Sequence, residues 1–286
     1  MRCSEAPDTE DYEAEDYNDG MWTAITRDVS PSLGAGELSF VPRTGIDVAR
    51  AVAQHESYRR ALESFGCRVI SLPAQADLPD AVFVEDVALV FDEVAVITRP
   101  GAESRRAEGA SVAPVLAAFR PLLPIEAPGT LDGGDVLRVG RSVYVGESAR
   151  SNPEGIAQLR GILARFGYTV HAVPTRGCLH LKSAVTQVAE DTLLLNPVWV
   201  DVAAFAEYRL IEIDPCEEHA ANALRIGNRV LYPSCFPRTR QRMEAAGIAV
   251  TTVDVSELQK AEGATTCCSL VFPESTVGRD LRMVIA

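Results

Sequence analysis

LESFGCRVISLP, residues 62–73, is typical of the end of an amphipathic helix, a turn at Gly66 and a short strand rich in β-branched residues. Glycine favours the left-handed backbone that commonly ends a helix. Four other segments repeat or approach this pattern: LARFGYTVHAVP (residues 163–174), MEAAGIAVTTVD (243–254), LAAFRPLLPIEAP (116–128) and FAEYRLIEIDP (205–215). Five such units, roughly 40 to 55 residues apart, predict a repeat architecture in which neighbours bury a shared core.

Paired strands are predicted between these units, because short apolar runs flank polar or glycine-containing turns. The expected turns are Asp92-Glu93, Gly140-Arg141, Glu190-Asp191 and Gly227-Asn228. The last of these is a strong hairpin dipeptide. Each repeat therefore has the predicted order strand, strand, helix, strand. Five ββαβ units can close into a five-fold pseudosymmetric α/β propeller with a funnel on its axis, although an open α/β sheet with ordinary hairpins fits this pattern too.

Length and charge limit the possible functions. The 286 residues carry a formal net charge of −13, which argues against nucleic acid as a partner and is compatible with a small cationic ligand. Much of the acid lies in residues 1–20, which we expect to be a disordered tail, and residues 21–286 are expected to form one catalytic domain. No apolar run approaches the roughly 20 residues that span a bilayer, and the start lacks signal-peptide features. We therefore expect a soluble, cytoplasmic protein with no membrane contact and leave its oligomeric state open.

The seven cysteines fit neither a disulfide framework nor a zinc finger, because their number is odd and no Cys-x-x-Cys occurs. The segment GATTCCSL (residues 263–270) places Cys267 beside Cys268, and adjacent cysteines bridge only through a strained ring. The sequence also lacks the phosphate-binding, dinucleotide-binding, metalloprotease and serine-hydrolase motifs. We therefore predict neither a metal nor a cofactor, and favour covalent cysteine chemistry on a cation.

Three other segments carry candidate polar residues. Glu85 and Asp86 interrupt VFVEDVA, which we predict as a strand with the two acids on opposite faces, either buried with partners or half-exposed. His180 lies between two leucines in CLHLKSAV, predicted as an apolar strand, where a histidine can equally be a packing residue. Asp132 and Asp135 flank two glycines in TLDGGDVL, which is either a tight turn or a carboxylate placed beside a histidine.

Six motifs occur in one order along the chain: PDAVFVEDVA, ITRPGAESRR, LDGGDVL, VGESARSN, LHLKS and TCCS. Together they resemble the signatures of the dimethylarginine dimethylaminohydrolase family, within the guanidine-modifying (pentein) superfamily. The likeness runs from about residue 22 to the C-terminus. It implies a five-fold α/β propeller that hydrolyses mono- or asymmetrically dimethylated arginine to citrulline and an alkylamine. Arginine deiminases are less similar, because they are longer and contain an inserted helical region.

The resemblance also implies residue roles. Cys267 matches the nucleophile, His180 the general acid and base, and Asp132 the carboxylate that orients this histidine. Substrate-binding roles fall on Val29, Asp80, Glu85, Asp86, Arg105, Arg150 and Ala261. Of these, the adjacent acids would hold the guanidinium and the two arginines the α-carboxylate. Asp80 would hold the α-ammonium, helped by a backbone carbonyl near Val29, and the backbone near Ala261 would line the site. Residues 27–36, RDVSPSLGAG, match the lid.

Three alternatives remain at this point. One is another guanidine-modifying activity, such as an arginine or agmatine deiminase, although a pair of arginines for a carboxylate disfavours agmatine. A second is a binding module that keeps the fold without catalysis. The third is a metal or redox protein built on the cysteine pair, for which the sequence offers no complete ligand set.

Overall fold

The computed structural model describes residues 21–274, so the predicted disordered tail of residues 1–20 lies outside the described residues. The strands of this part of the chain are β1 (Trp22–Arg27), β2 (Cys67–Leu72), β3 (Ala88–Val90), β4 (Ala95–Ile97), β5 (Leu122–Pro124), β6 (Val136–Val139), β7 (Ser142–Glu147), β8 (Thr169–Pro174), β9 (Val185–Gln187), β10 (Thr192–Leu195), β11 (Arg209–Glu212), β12 (Leu224–Ile226), β13 (Arg229–Pro233), β14 (Ala249–Val253) and β15 (Leu270–Pro273). The α-helices are α1 (Val48–Ser64), α2 (Gly109–Leu116), α3 (Pro153–Ala164), α4 (Leu181–Ala184), α5 (Pro237–Ala245) and α6 (Ser256–Gln259). Short 3₁₀ helices cover Leu33–Ala35, Val84–Val87, Glu103–Arg105, Gly133–Asp135 and Val202–Phe205.

These strands form five three-stranded sheets of the same construction. Their orders are β15-β1-β2, β3-β4-β5, β6-β7-β8, β9-β10-β11 and β12-β13-β14. In every sheet the central strand pairs antiparallel with one neighbour and parallel with the other. The four predicted hairpins are confirmed as the antiparallel pairs that begin with β3, β6, β9 and β12. The fold is therefore mixed α/β.

A helix joins the two parallel strands in four of the five sheets, namely α1, α2, α3 and α5. Gly66, Gly167 and Gly247 follow α1, α3 and α5 with φ of 85°, 77° and 87°, as the repeated segment predicts. The weak copy at residues 205–215 keeps its strand, β11, but has only the 3₁₀ turn Val202–Phe205 in place of a helix. Phe205 is fully buried and packs against Tyr144, so one aromatic ring fills the space that a helix covers elsewhere.

Two strand predictions were wrong. Residues 84–87 form a 3₁₀ helix before β3, so Glu85 and Asp86 do not alternate across a strand, and His180 is the residue before α4. The Glu85 N–H donates to the Cys267 carbonyl (3.2 Å) rather than to a sheet partner. Contacts with distant segments therefore override the apolar pattern of the local sequence.

The core is divided among apolar clusters that lie between the sheets and the helices. Leu62 of α1, Leu116 of α2, Leu159 of α3 and Met243 of α5 are fully buried. Each such side chain contributes about 1.5–3 kcal/mol by leaving water. The amphipathic faces read from the sequence therefore hold the helices against the sheets. Within residues 21–274, none of the helices is long and apolar enough to cross a membrane.

Candidate active site

The candidate site is built from equivalent positions of the repeat. The segment just before the first strand of each sheet carries its polar residues: Glu85 and Asp86 before β3, Asp132 before β6, His180 before β9, Asn222 before β12 and Cys267 before β15. Sequence reasoning missed Asn222, whose side chain bonds the Thr266 N–H (3.0 Å) and the Lys182 carbonyl (3.0 Å). The repeat therefore explains why distant segments of sequence supply one site.

Seven of the ten predicted site residues line one narrow cavity: Asp80, Asp86, Arg105, Arg150, His180, Ala261 and Cys267. Glu37, Phe83, Leu179, Glu262 and Gly263 complete its wall. Asp132 is fully buried behind His180, and Glu85 faces a larger cavity on the other side. Val29 lies in a hydrophobic core cluster with Leu33 and Phe83 and is not among the residues that line this cavity, so its substrate contact stays a prediction.

Cys267 and Cys268 have different surroundings. Cys267 is half-buried and its Sγ accepts from the Ala264 N–H at 3.3 Å, whereas Cys268 is fully buried and donates to the Ala264 carbonyl at 3.5 Å. Burial, together with the negative charges of Glu85 and Asp86, raises the pKa of the Cys267 thiol to about 12. This sulfur therefore carries its proton at neutral pH when no cation lies beside it.

His180 is held between two carboxylates. Its Nε2 lies 3.0 Å from Asp132 Oδ2, and its Nδ1 lies 3.8 Å from Asp86 Oδ1. Burial alone would lower the pKa of His180, but the charge of Asp86 and the hydrogen bond with Asp132 raise it to about 9. The imidazole is therefore protonated at neutral pH.

Asp86 and Arg105 form a buried ion pair. Arg105 Nη1 donates to Asp86 Oδ2 at 2.6 Å, and the Gly134 N–H donates to Asp86 Oδ1 at 2.9 Å. Burial alone would raise the pKa of Asp86, but the charges of His180 and Arg105 lower it to about 2. Glu108, which sequence reasoning missed, accepts from Arg105 Nε (3.0 Å) and Nη2 (2.8 Å). Four of the five Arg105 N–H groups are therefore already used within the described part of the chain, which leaves one on Nη1.

Glu85 is bound by a lysine that the motif LHLKS contains but to which the sequence analysis gave no role. Lys182 Nζ donates to Glu85 Oε1 at 2.6 Å, and Thr266 Oγ1 donates to Oε2 at 2.8 Å. Burial raises the pKa of Glu85, and the charge of Lys182 opposes this rise. The only signal in the sequence was the position of Lys182, two residues after His180.

Asp80 and Arg150 also line the cavity, and both contact the segment that begins at Glu37. Asp80 Oδ2 accepts from the Glu37 N–H at 2.9 Å, and Arg150 Nη2 lies 3.4 Å from Ser39 Oγ. Arg150 Nη1 is buried, has no hydrogen-bond partner within the described chain and lies 3.9 Å from Asp132 Oδ2. Arg150 therefore carries an N–H donor without a described partner beside the carboxylate of Asp132.

The loop that contacts Asp80 and Arg150 follows the segment predicted as a lid. We call residues 37–43 the lid loop. A Cβ at Gly36 would lie 2.2 Å from Asp80 Oδ1, so a larger residue at the start of the lid loop would displace this carboxylate. Glu262 then accepts from the backbone N–H groups of Ser39 (3.0 Å), Phe40 and Val41 (2.8 Å). The lid loop is thereby fastened to the segment that precedes the nucleophile candidate.

One trio of these side chains has the spacing of metal ligands. Ligand atoms of Asp86, Asp132 and His180 lie within 4.8 Å of one another. The same atoms, however, make the ion pairs with Arg105 and within the trio that were described above. The close spacing of these three side chains is therefore explained by a protonated imidazole that lies between two carboxylates.

The sequence is similar to those of curated proteins with a shared name. No protein-family model matches the sequence. The N(G),N(G)-dimethylarginine dimethylaminohydrolase of Pseudomonas aeruginosa is 40% identical over 79% of this chain and 90% of that protein. The protein of the same name from Streptomyces coelicolor is 40% identical over 88% of this chain and 97% of its own length.

Solved structures match as well. A mutant of the Pseudomonas aeruginosa protein in complex with citrulline has a TM-score of 0.84 and 38% identity, with 88% of this chain and 100% of that one covered. The N-terminal domain of a cyanobacterial arginine dihydrolase has a TM-score of 0.77 at 17% identity, over 89% of this chain and 99% of that domain, and so shares the fold alone.

Five alike three-stranded sheets, and a cysteine, a histidine and carboxylates that line one cavity, place the chain among mixed α/β proteins with the pentein fold. Two relatives that are 40% identical and matched over most of their length identify the family within this class. The chain belongs to the dimethylarginine dimethylaminohydrolase family.

Proposed function

We propose that this protein hydrolyses Nω-methylated arginine, mono- or asymmetrically dimethylated, to citrulline and the corresponding alkylamine. One observation carries the proposal: Cys267, His180 and Asp86 line a single cavity that also contains Asp80 and Arg150. A thiol, an imidazolium and carboxylates around one space suit a planar cation with an amino-acid end. Two related structures hold compatible molecules, citrulline in one and an adduct with S-methyl-L-thiocitrulline in the other.

Binding orients the substrate by charge. The guanidinium would lie against Asp86 in a buried setting where charge-assisted hydrogen bonds are strong and directional. The α-ammonium would meet Asp80, and the α-carboxylate would meet the unpartnered Nη1 of Arg150 and the remaining Nη1 hydrogen of Arg105. Glu85 would act on the guanidinium through its charge rather than by direct contact, because it does not line this cavity and its carboxylate already accepts from Lys182.

The substrate's charge helps to activate the nucleophile. Burial and the negative charges of Glu85 and Asp86 raise the pKa of the Cys267 thiol, so a cation that neutralises these charges lowers it again. The thiol proton passes to solvent water as the guanidinium binds, and the thiolate attacks the guanidinium carbon. The 3.8 Å gap between His180 Nδ1 and Asp86 leaves this nitrogen able to donate to the departing amine.

Turnover then needs two proton transfers at His180. His180 gives its proton to the alkylamine as the C–N bond breaks, which leaves a covalent S-alkylthiouronium on Cys267. The neutral imidazole next takes one proton from the attacking water; the C–S bond then breaks with its electron pair on sulfur, which takes up the remaining hydroxyl proton, and citrulline and the Cys267 thiol are released. Asp132 stabilises the imidazolium form at both ends of this cycle.

The nucleophile assignment is tested by two neighbouring variants. Cys267→Ser should abolish citrulline formation from methylated arginine, whereas Cys268→Ser should retain most of it, because Cys268 is sealed from the cavity. Equal loss in both variants would contradict the assignment. Parallel assays of arginine, agmatine, monomethylarginine and dimethylarginine decide between this activity and a deiminase.

We also propose that the five sheets surround one axis as a five-fold α/β propeller. Three features support this arrangement: the repeated strand order, the β1–β15 pair that joins the last described strand to the first, and the equivalent placement of the polar segments. The single catalytic domain of residues 21–286 and the cytoplasmic location remain predictions. If the domain prediction is right, removal of residues 1–20 will leave citrulline formation unchanged.

A further inference from the structure

Asp135 is a buried carboxylate that the proposed reaction does not use. It is the second acid of the TLDGGD segment and is fully shielded from solvent. Its Oδ2 accepts from Ser148 Oγ (2.6 Å) and Ser151 Oγ (2.7 Å), and its Oδ1 accepts from the Leu181 N–H (3.0 Å). Three donors from two separate segments thus converge on one side chain.

Each of these donors leads to a residue of the candidate site. Leu181 directly follows His180, so its N–H fixes the backbone that carries the imidazole. Ser148 Oγ accepts from the Arg150 N–H at 3.0 Å, and Ser151 Oγ accepts from the Asp132 N–H at 3.1 Å. His180, Asp132 and Arg150 are therefore all connected to Asp135 by these hydrogen bonds.

The surrounding backbone makes room for this carboxylate. A Cβ at Gly146 would lie 2.6 Å from Asp135 Oδ1 and 3.0 Å from the Leu181 side chain. Only glycine at this position of β7 lets the carboxylate reach the start of α4. The contact is thus built into the sheet rather than made by a flexible surface side chain.

We propose that Asp135 is a positioning residue for the hydrolysis proposed above: it fixes the backbones that carry His180 and Arg150, and its charge favours the imidazolium form of His180. The charged groups that face His180 are Asp86, Asp132 and Asp135. Burial raises the pKa of Asp135 to about 6, and the charge of His180 and the bonds from Ser148 and Ser151 oppose this rise. Asp135 therefore carries its charge at pH 7 and above, where His180 must stay protonated.

The first experiment measures His180 without substrate, so it does not depend on the proposed activity. The imidazole of His180 is titrated by NMR in the wild type, in Asp135→Asn and in Asp254→Asn, with His180→Gln used to assign the signal. Asp254 is the control, because its Oδ1 also accepts from a backbone N–H, that of Ser256 at 3.0 Å, although Asp254 does not line the cavity. We expect the pKa of His180 to fall by about one unit in Asp135→Asn and to stay unchanged in Asp254→Asn.

The wild type offers a test that needs no folded variant. As Asp135 loses its charge, the His180 signal should show a second, smaller inflection near pH 6. An unchanged His180 pKa in folded Asp135→Asn, or a wild-type titration without this inflection, overturns the electrostatic part of the proposal.

Kinetics separate positioning from charge. The double variant Ser148→Ala/Ser151→Ala removes the two hydroxyls that link Asp135 to Arg150 and Asp132 but keeps the carboxylate. We expect the KM for methylarginine to rise about tenfold with the high-pH limb of kcat/KM unmoved, whereas Asp135→Asn moves that limb to lower pH by the shift seen by NMR. A double variant with the wild-type KM refutes the positioning of Arg150. If the wild type forms no citrulline, the proposed function fails, while the NMR result still stands by itself.

Discussion

Glu262 should control access to the cavity through the lid loop, and Glu262→Gly is the change that isolates this role. Among the residues from 21 to 274, Glu262 is the one non-glycine residue with positive φ, at 60°. Glycine adopts this conformation without strain, whereas other residues hold it at a cost of about 1 kcal/mol or more. The glutamate is therefore retained against the preference of its own backbone, which points to a role for its carboxylate.

The expected magnitude follows from the contacts. Glu262 accepts three backbone N–H groups of the lid loop, from Ser39, Phe40 and Val41, and the first two residues are exposed. At about 1 kcal/mol for each hydrogen bond, reduced because water can replace the carboxylate, the closed lid loop loses about 2 kcal/mol. Since 1.4 kcal/mol is a factor of ten, closure becomes roughly 30-fold less favourable. We expect kcat/KM for methylarginine to fall about 10- to 30-fold.

A second variant separates the lost carboxylate from the released strain. Glu262→Ala loses the same hydrogen bonds but keeps a side chain at positive φ, so it should match Glu262→Gly in kcat/KM. The free energy of unfolding of Glu262→Ala in urea should, however, be about 1 kcal/mol lower than that of Glu262→Gly. Steady-state kinetics and urea unfolding measure the two effects, and cleavage within residues 37–43 by a protease should quicken in both variants. Wild-type kcat/KM in Glu262→Gly would refute the assignment of Glu262 as the fastening of the lid loop.

Three other predictions concern buried ionisable side chains. Lys182→Met leaves Glu85 without its cation, so the free energy of unfolding at pH 7 should fall by about 3 kcal/mol in urea titrations, and a fall below 1 kcal/mol would contradict the burial of this pair. Glu85→Gln removes a charge that raises the pKa of Cys267, so iodoacetamide should label Cys267 about 3- to 10-fold faster at pH 8 even though turnover falls; slower labelling would refute this. Burial lowers the pKa of His55 to about 4, so the neutral ring stabilises the fold above its ordinary pKa of 6.5, and this contribution is lost as the pH falls towards 4. His55→Phe should therefore lose about 2 kcal/mol less stability than the wild type between pH 7 and pH 4.5, as measured by urea unfolding at both pH values.

Local signals in the sequence account for most of the secondary structure. A glycine that ends a helix and a two-residue hairpin turn are decided by backbone sterics over a few residues, so Gly66 and Gly227-Asn228 were sufficient evidence for their elements. The segment around Glu85 was misjudged because its conformation depends on Cys267 and Lys182, which are far away in sequence.

The candidate site was predictable only where a motif marked a residue type with recognisable chemistry. The cysteine, the histidine and the acids were found in this way. Glu108, Glu262 and Asn222 were not, because a single acid or amide in an ordinary helix or loop carries no local signal of its partner. Arg105 shows the same limit: its motif predicted a ligand contact, whereas its buried bonds with Asp86 and Glu108 are visible only in three dimensions.

The pairing of β1 with β15 also has a consequence for biosynthesis. β1 leaves the ribosome before the other described strands, yet its antiparallel partner emerges some 250 residues later. The nucleophile candidate lies just before β15, so the other described residues of the cavity are translated first. A nascent chain should therefore form no citrulline until Cys267 and β15 have emerged, and translation products that end before Cys267 should be inactive.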